Sequence, residues 1–264
     1  MSSSGSSQSD YTGVTETPGT LVSREAASMA LSRYELVRRL AAGRRVLEVA
    51  CGSGQGLGYV ARDAARVVGG DITPGLLAQA HAHYRGAVPA VPLVRFDAHA
   101  LPFAGASFDI VQIHEAIYYM AQPRRVFEEC RRVLRPEGVL VVSSVNPAWA
   151  DFNPSPHAAA YLGAGDLKTV LEGAFRSVDI LFGFAVPRQG PLGLALSAIK
   201  RLAVRLKLIP KTMRGKTLLK RVFLGSLLPV PAELAPGLVP VDEPLPAPLH
   251  DSSRFRIIYA VARL

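Results

Sequence analysis

Buried strands and amphipathic helices alternate along the first half of the chain. Continuous apolar runs predict buried strands, and apolar residues spaced three and four apart predict helices. The predicted strands lie at about 46–49, 66–70, 91–96, 107–113 and 139–145, and the predicted helices at about 24–41, 57–65, 74–84 and 122–135. This alternation predicts an α/β fold with a mostly parallel sheet and crossover helices on both faces.

The spacing of elements changes after residue 145. A helix is predicted over residues 166–175 and a strand over 177–184, but the last strand comes only at 254–263. An insertion of about 65 residues therefore separates the last two strands. We divide the chain into a disordered tail (1–20), one α/β domain (21–187 and 251–264), and a basic helical and proline-rich insertion (188–250).

A glycine-rich turn follows the first buried strand. Residues 46–56 read VLEVACGSGQG, so an acid, Glu48, lies within the strand and three glycines follow it. Glycines in such a turn let backbone N–H groups approach a nucleotide-type cofactor. The dinucleotide fingerprint requires Gly or Ala at the position of Leu57, which disfavours a nicotinamide or flavin site.

Acids also end the next two strands. Asp71 follows the second strand and is placed to accept hydrogen bonds from both hydroxyls of a ribose. Asp97 ends the third strand. Since the carboxyl ends of parallel strands meet at one edge of the sheet, these acids and the glycine-rich turn are expected at one site.

These motifs resemble those of class I S-adenosylmethionine-dependent methyltransferases. The family pattern is hydrophobic, acid, hydrophobic, two residues and then Gly-x-Gly-x-Gly, and residues 107–113 and 127–138 resemble later segments of the same family. The resemblance implies a Rossmann-like, seven-stranded sheet with an antiparallel last strand and S-adenosylmethionine as cofactor. It implies contacts to the cofactor from Glu48, Ala50, Gly52, Ser53, Gly54, Asp71, Ile72, Asp97, Ala98 and His114, with Asp97 accepting from the adenine amino group.

The acceptor is expected at the same edge of the sheet. Polar and aromatic residues follow the fourth and fifth strands there, and a hydroxyl acceptor would need a base. The base candidates are His114, Glu115 and His157, and the candidate substrate-binding residues are Tyr118, Tyr119, Asn146 and Trp149. His114 is favoured as the base, although it has the alternative role of lining the cofactor pocket.

The resemblance extends to the small-molecule group that includes ubiquinone and menaquinone biosynthesis enzymes and natural-product tailoring enzymes. No Asn-Pro-Pro-Tyr or Asp-Pro-Pro-Tyr segment follows the fourth strand, which disfavours nucleobase and glutamine amines as acceptors. A hydroxyl of a secondary metabolite, sugar or lipid-linked intermediate is expected. Two alternatives stay open: a catalytically inactive cofactor-binding scaffold and a nicotinamide oxidoreductase.

The net charge of +9 is concentrated in the insertion. Residues 199–221 carry nine Lys and Arg, so the rest of the chain sums to zero. A basic amphipathic helix fits an anionic membrane surface. An anionic-substrate docking surface and a solvated helical cap remain alternatives, whereas nucleic acid is disfavoured because stacking aromatics are scarce among these charges.

Composition and termini restrict the compartment and the cofactor. The chain is 49% hydrophobic and 19% charged, which is typical of a globular protein. It begins with a polar segment that lacks the features of a signal peptide, and no apolar run reaches the roughly 18 residues of a membrane span. Its two cysteines have no metal or disulfide spacing. We expect a cytoplasmic protein, peripheral to the inner face of the membrane if the insertion binds lipid, and no metal.

Overall fold

The computed structural model of the chain describes residues 10–186 and 227–264. The predicted basic segment at residues 199–221, with its nine positive charges, therefore lies outside the described residues. The first helix, α1 (Arg24–Leu40), is capped at its N-terminus by Ser23, whose hydroxyl accepts from the N–H of Ala26 at 3.1 Å. A short strand, β1 (Leu21–Ser23), precedes it.

The α/β core follows in the predicted order. Its first part comprises β2 (Arg45–Val49), α2 (Leu57–Ala61), β3 (Arg66–Asp71), α3 (Pro74–Tyr84) and β4 (Leu93–Arg95). Its second part comprises β5 (Phe108–His114), α4 (Pro123–Val133), β6 (Leu134–Val145), α5 (Ala164–Glu172) and β7 (Ser177–Ala185). The remaining strands are β8 (Leu227–Pro229), β9 (Leu245–Pro246) and β10 (Phe255–Arg263).

The main sheet has the order β4-β3-β2-β5-β6-β10-β7-β9. The first five strands pair in parallel, and β10 is antiparallel to both of its neighbours. The predicted Rossmann-like α/β sheet with an antiparallel last strand is therefore confirmed. The strand count differs from seven, because the two-residue β9 joins the edge and makes an eighth strand.

Two layers of buried side chains cover the sheet. One packs beneath α4 and α5, and the other beneath α1, α2 and α3. Phe127, Leu140 and Ile258 are fully buried in the first layer, and Leu31, Val46 and Leu57 in the second. Helices on both faces leave the carboxyl ends of the parallel strands as the open edge, where a ligand can bind.

Residues 227–250, the described part of the insertion, form the extended strap that their proline content favours, and a short 3-10 helix begins at Leu249. The strand β8 pairs with β1, and the backbone then runs over α1, where the N–H of Asp242 donates to the hydroxyl of Ser32 at 2.8 Å. The carboxyl of Asp242 accepts from the N–H of Phe184 at 2.7 Å. The strap thus ties α1 to the edge of the sheet. Among the described helices, none has the length and apolar character needed to cross a bilayer.

Candidate active site

The glycine-rich turn between β2 and α2 has left-handed backbone at three alternate positions. The φ angles are 61° at Ala50, 57° at Gly52 and 81° at Gly54. The turn lets the N–H of Gly52 reach the carboxylate of Asp71 at the end of β3, with a distance of 2.9 Å between N and Oδ2. Two predicted cofactor residues from different strands are therefore in direct contact.

The carboxylate of Asp71 is oriented by two backbone groups. Its Oδ2 accepts from Gly52 and its Oδ1 accepts from the N–H of Thr73 at 2.8 Å, while the residue is only 6% exposed. Each carboxylate oxygen retains a second lone pair, which suits two ribose hydroxyls. The buried hydroxyl of Thr73 has no hydrogen-bond partner in the described part of the chain. This arrangement fits the ribose of S-adenosylmethionine.

The other two glycines of the motif serve packing. A Cβ on Gly56 would lie 2.0 Å from a ring carbon of Tyr34, so this glycine makes room for a ring of α1. A Cβ on Gly54 would approach Tyr84 and Ala80 of α3 within 3.0 and 3.1 Å. The expectation that all three glycines open the turn toward the ligand therefore fails at Gly56.

The acid of the motif, Glu48, lies below the turn in a buried hydrogen-bond network. Its Oε1 accepts from the hydroxyl of Tyr34 at 2.6 Å and its Oε2 from the amide of Gln112 at 2.9 Å. Burial raises the pKa of Glu48 to about 8, although both hydrogen bonds oppose the shift. Glu48 therefore links α1 and β5 to the strand that carries the turn.

The imidazole of His114 continues this network. Its Nδ1 lies 2.9 Å from the hydroxyl of Ser143, and its Nε2 lies 3.3 Å from the side-chain oxygen of Gln112. The ring also packs edge-on against Tyr34, with ring centroids 4.9 Å apart. Burial lowers the pKa of His114 well below its usual value, so the ring is neutral. Both ring nitrogens are engaged within the protein.

The expected adenine-binding residues follow β4. Asp97 has a half-exposed carboxylate, whose Oδ1 accepts from the backbone N–H of His99 at 2.9 Å and lies 2.6 Å from its ring. Ala98 packs at the edge of the buried layer beneath α4 and α5. Ile72 follows Asp71, and its carbonyl accepts from Arg95 at 3.1 Å.

An aromatic cavity of about 420 Å³ lies beyond the end of β5. Such a volume holds a small organic molecule. Four of the predicted residues line it, namely Glu115, Tyr118, Tyr119 and Trp149. The other lining residues are Val145, Asp151, Phe152, Asn153, Pro154, Ser155, Pro156 and Tyr161.

The rings of the cavity pack against one another. Tyr118 stacks on Tyr161 with centroids 4.7 Å apart and planes 28° apart, and Phe152 meets Tyr161 edge-on at 4.7 Å. Tyr119 also packs against Tyr118, with ring centroids 4.6 Å apart. Mutual packing holds these side chains as preformed walls.

Three predicted residues do not line the cavity: His114, Asn146 and His157. The buried amide of Asn146 donates to the carbonyls of Ser252 and Phe255 at 2.8 and 2.9 Å. Asn146 therefore fastens its loop to the last strand, while His157 is exposed.

Glu115 is the predicted base candidate that lines the cavity. Its backbone is left-handed, with φ at 49°, which turns the chain sharply after β5. Its Oε2 accepts from the hydroxyl of Tyr118 at 3.2 Å, and its buried Oε1 has no partner among the described residues. Burial raises the pKa of Glu115, and the charge of Arg33, the hydroxyl of Tyr118 and the backbone N–H of Val145 oppose that rise.

Arg33 of α1 is a residue that the sequence did not reveal. Its Nε donates to the carbonyl of Met29 at 3.1 Å, and its charge acts on Glu115 and on Tyr34, Tyr118 and Tyr259. It is thus a cation that acts both on Glu48 in the buried network and on Glu115 at the cavity. Helical periodicity alone assigns an arginine at this position to a solvated face.

A turn at residues 11–15 bridges the glycine-rich turn and the cavity. The N–H groups of Val14 and Thr15 donate to the carbonyl of Tyr11 at 3.1 Å. The methyl of Thr15 lies 3.3 Å from the position of a Cβ on Gly52, and the ring of Tyr11 packs on Tyr119 at 5.1 Å. Residues 10–20 were expected in a disordered tail, and the structure differs there because these side chains contact the site.

Two further kinds of chemistry at this site would be metal binding and a reactive thiol. The described residues contain no group of three His, Cys, Asp or Glu side chains that could hold a metal ion. Burial raises the pKa of the Cys51 thiol well above its usual value, which leaves it protonated and unreactive. Cys51 is a packing residue, as expected.

Comparison with known families agrees with this geometry. Residues 47–142, which include the glycine-rich turn, Asp71, Asp97 and β5, match the family Methyltransf_11, described as "Methyltransferase domain". This part of the chain belongs to the class I S-adenosylmethionine-dependent methyltransferases. The cofactor of the methyltransferase domain is accordingly S-adenosylmethionine.

Curated relatives match the methyltransferase domain over part of their length. A Mycolicibacterium smegmatis protein named "probable S-adenosylmethionine-dependent methyltransferase" is 35% identical over 161 residues, which cover 57% of this chain and 60% of that protein. A ubiquinone biosynthesis O-methyltransferase of Cereibacter sphaeroides is 33% identical over 122 residues, covering 46% of this chain and 47% of that enzyme. The chain thus spans about half to three fifths of the length of these relatives.

Solved structures share the fold over nearly the whole chain. A methyltransferase of Thermotoga maritima has a TM-score of 0.58 and 13% identity, and covers 91% of each chain. A [4+2]-cyclase has a TM-score of 0.56 and 23% identity, covering 94% of this chain and 84% of its own. At these identities the likeness establishes the Rossmann-like fold of the methyltransferase domain alone.

Proposed function

We propose that the protein transfers a methyl group from S-adenosylmethionine to a hydroxyl of a small-molecule acceptor. The observation that carries the proposal is that Glu115, a buried carboxyl with one unpartnered oxygen, lines a preformed cavity next to the cofactor turn. The adjacency rests on the turn at residues 11–15, which contacts both Gly52 and Tyr119. Similarity to ubiquinone O-methyltransferases supports a hydroxyl as the acceptor group.

The chain supplies separate groups for each part of the cofactor. Asp71 would hold the ribose, and the segment at Asp97 and Ala98 would hold the adenine. The backbone of Gly52 and Ser53 would lie against the methionine portion, whose carboxylate Arg33 would attract. When bound, the cofactor supplies a methyl group on a sulfonium, which leaves readily to a nucleophile held in line with it.

Glu115 is the proposed base. Deprotonation of the acceptor hydroxyl by its free Oε1 would raise the nucleophilicity of the oxygen as the new O–CH₃ bond forms, and the proton would stay on Glu115. A carboxyl whose pKa is raised by burial is a better base near neutral pH than an ordinary one. The geometry favours Glu115 over His114, which is engaged by Ser143 and Gln112 outside the cavity.

The walls of the cavity would position the acceptor and exclude water. Tyr118, Tyr119 and Trp149 all line the cavity and are the proposed substrate contacts. Holding the hydroxyl beside Glu115 and in line with the methyl group supplies the proximity on which methyl transfer depends. We disfavour the inactive scaffold, because the residues proposed to hold the cofactor and the proposed base occur together in this chain.

The experiment that tests this proposal has two steps. Calorimetric titration with S-adenosylhomocysteine and with NAD should show binding of the first alone. Asp71→Asn should weaken it by roughly 10- to 100-fold, because the amide has no charge and keeps only one of the two acceptor oxygens. Asp63→Asn is the matched control, since Asp63 pairs with Arg38 on the surface at 2.5 Å.

The second step supplies labelled S-adenosylmethionine with a panel of hydroxyl-bearing metabolites. Transfer by the wild type and loss of transfer in Glu115→Gln, with cofactor affinity retained, is the expected result. Failure of S-adenosylhomocysteine to bind would refute the proposal at its first step. Binding of the cofactor without transfer to any hydroxyl in the panel would count for the scaffold.

A second proposal concerns the basic segment, residues 199–221, which lies outside the described residues. We propose that it docks the enzyme on anionic membrane surfaces, because nine cations accompany an apolar helical stripe in the sequence. Co-sedimentation with vesicles containing phosphatidylglycerol should exceed that with pure phosphatidylcholine vesicles and should fall with added salt. Equal sedimentation with both vesicle types would refute it.

A further inference from the structure

Two lining residues of the aromatic cavity carry a buried polar atom with no hydrogen-bond partner in residues 10–186 and 227–264. These atoms are the Oε1 of Glu115 and the Nε1 of Trp149. Buried polar groups are nearly always paired in native proteins, because an unpaired group loses its hydrogen bond to water without replacement. Both atoms belong to residues that line one cavity, so a ligand bound there can supply the missing partners.

The first atom accepts a hydrogen bond. The carboxyl of Glu115 is held through its other oxygen, which accepts from the hydroxyl of Tyr118 at 3.2 Å. When ionised, a carboxylate has no proton to donate, so its free oxygen needs an O–H or N–H donor from the ligand.

The second atom donates a hydrogen bond. An indole N–H has no lone pair available, so it needs an acceptor from the ligand. The ring of Trp149 is held in place by the guanidinium of Arg256, which lies 5.0 Å from the ring centroid and pairs with Glu25. The loop is fixed as well, since the N–H of Ala148 donates to the side chain of Asn146 at 3.0 Å.

The charge of the cavity narrows the ligand further. Its ionisable lining residues, apart from tyrosines, are Glu115 and Asp151, and no Lys, Arg or His lines it among the described residues. The cation Arg33 acts on Glu115 from outside the lining, so the charge of Glu115 is partly offset in the electrostatics of the cavity wall. A phosphate or carboxylate would satisfy the indole but would face these two acids. An ammonium group would satisfy Glu115 but has no lone pair to offer the indole.

We infer that the acceptor is a neutral, flat hydroxy-carbonyl compound. Its hydroxyl donates to the Oε1 of Glu115, its carbonyl oxygen accepts from the Nε1 of Trp149, and its planar frame lies against the tyrosine and phenylalanine rings. This inference rests on the proposed function, since the hydroxyl at Glu115 is the atom to be methylated. Beyond the hydroxyl of the proposed function, the inference specifies that the substrate has a carbonyl group, is uncharged and is planar.

The test measures small probes binding to the full chain saturated with S-adenosylhomocysteine. The 2-, 3- and 4-hydroxyacetophenones are compared with the matching ethylphenols, which lack only the carbonyl oxygen, and with the matching methylacetophenones, which lack the hydroxyl. We expect at least one hydroxyacetophenone to bind about 10-fold more tightly than either counterpart, as one satisfied hydrogen bond implies. The benzoate and tyramine analogues, which are charged, should bind more weakly.

Two variants test which atom recognises the carbonyl of the probe and which recognises its hydroxyl. Trp149→Phe keeps a ring and removes the N–H, so it should abolish the advantage over ethylphenol and leave the advantage over methylacetophenone. Glu115→Gln should abolish the advantage over methylacetophenone and leave the advantage over ethylphenol. Tyr259→Phe is the matched control, because the Tyr259 hydroxyl is also buried and unpartnered among the described residues but does not line the cavity. It should leave both ratios unchanged.

The outcomes separate this inference from the proposed function. Failure to bind S-adenosylhomocysteine would count against the methyltransferase site itself. With that cofactor product bound, equal affinity for hydroxyacetophenones and ethylphenols, no measurable affinity for any of the probes, or tighter binding of the charged analogues would overturn the inference alone.

Discussion

The Nε2 of His114 lies 3.3 Å from the side-chain oxygen of Gln112, and this contact fixes the position of the imidazole proton. Gln112 already donates its amide to Glu48, so its oxygen faces the ring and requires a donor. The proton is therefore on Nε2, and the Nδ1 accepts from the hydroxyl of Ser143.

This assignment predicts a neutral imidazole with one fixed tautomer. Because burial lowers the pKa of His114 well below its usual value, its ring should stay neutral at the pH values where an ordinary histidine titrates. Nitrogen-15 correlation spectra of labelled protein should show a protonated Nε2 and an unprotonated Nδ1 throughout. A His114 ring that titrates in this range would contradict the network.

A second prediction concerns the pH dependence of methyl transfer. The base must be deprotonated, so kcat/KM should rise as the pH passes the pKa of Glu115. The hydrogen bond from Tyr118 lowers that pKa, and Tyr118→Phe should therefore move the rise to higher pH. Tyr119→Phe, which removes a hydroxyl directed at Ser155 instead, should leave the midpoint where it is. Equal midpoints in all three proteins would exclude Glu115 as the titrating base.

A third prediction concerns stability and pH. The pKa of Glu48 is about 8 in the folded protein, against 4.5 for the ordinary group. The folded state therefore holds a proton that the unfolded state has lost between these values, so this residue makes the protein less stable as the pH rises. The free energy of unfolding of the wild type, relative to Glu48→Gln, should fall by up to about 1.4 kcal/mol per pH unit between pH 5 and 8.

Glu35 is the control, because its pKa is lowered in the folded protein whereas that of Glu48 is raised. Hydrogen bonds from Arg38, together with those from Tyr59 and Arg39, lower its pKa to about 2 against the effect of burial. The contribution of Glu35 to the free energy of unfolding is fully present above its ordinary pKa of 4.5 and is lost as the pH falls from there toward 2. Urea denaturation should show a constant difference between the wild type and Glu35→Gln from pH 6 to 8. A slope there would show that another group titrates.

A fourth prediction concerns the third glycine of the turn. A methyl on Gly56 would overlap the Tyr34 ring, so Gly56→Ala should lower the free energy of unfolding by about 1–3 kcal/mol. In a Tyr34→Leu background the same change should cost less, because the ring is gone. Gly165→Ala in α5, where nothing lies within 4 Å, should be neutral or slightly stabilising. Additive effects of the first two changes would contradict the contact.

The elements and the cofactor turn were predictable because they have local signals. The apolar periodicity of α1 and the strand before Gly52 are legible over a few residues, and helix α1 was predicted within one residue of its observed bounds. The acceptor cavity was harder to predict from the sequence, although Glu115 and Trp149 were both predicted to lie at the site. Their free hydrogen-bonding atoms depend on which distant side chains reach them.

Other features have no local signal at all. The role of Arg33 depends on the approach of α1 to β5, and the turn at residues 11–15 has a composition typical of a disordered tail. The pairing of β9 with β7 joins residues more than 60 positions apart in sequence, so no window of neighbouring residues contains it. These contacts follow from tertiary packing, which overrides local preference.

The space above Gly56 has a consequence for comparing sequences of this family. Because the ring of Tyr34 fills the volume that a side chain at position 56 would need, the two positions should covary. Homologues with a larger residue at position 56 should carry a small one at position 34, and would then lack the phenol that donates to the acid of the motif. In such homologues we expect the acid itself to be replaced, so that the three positions change as a group.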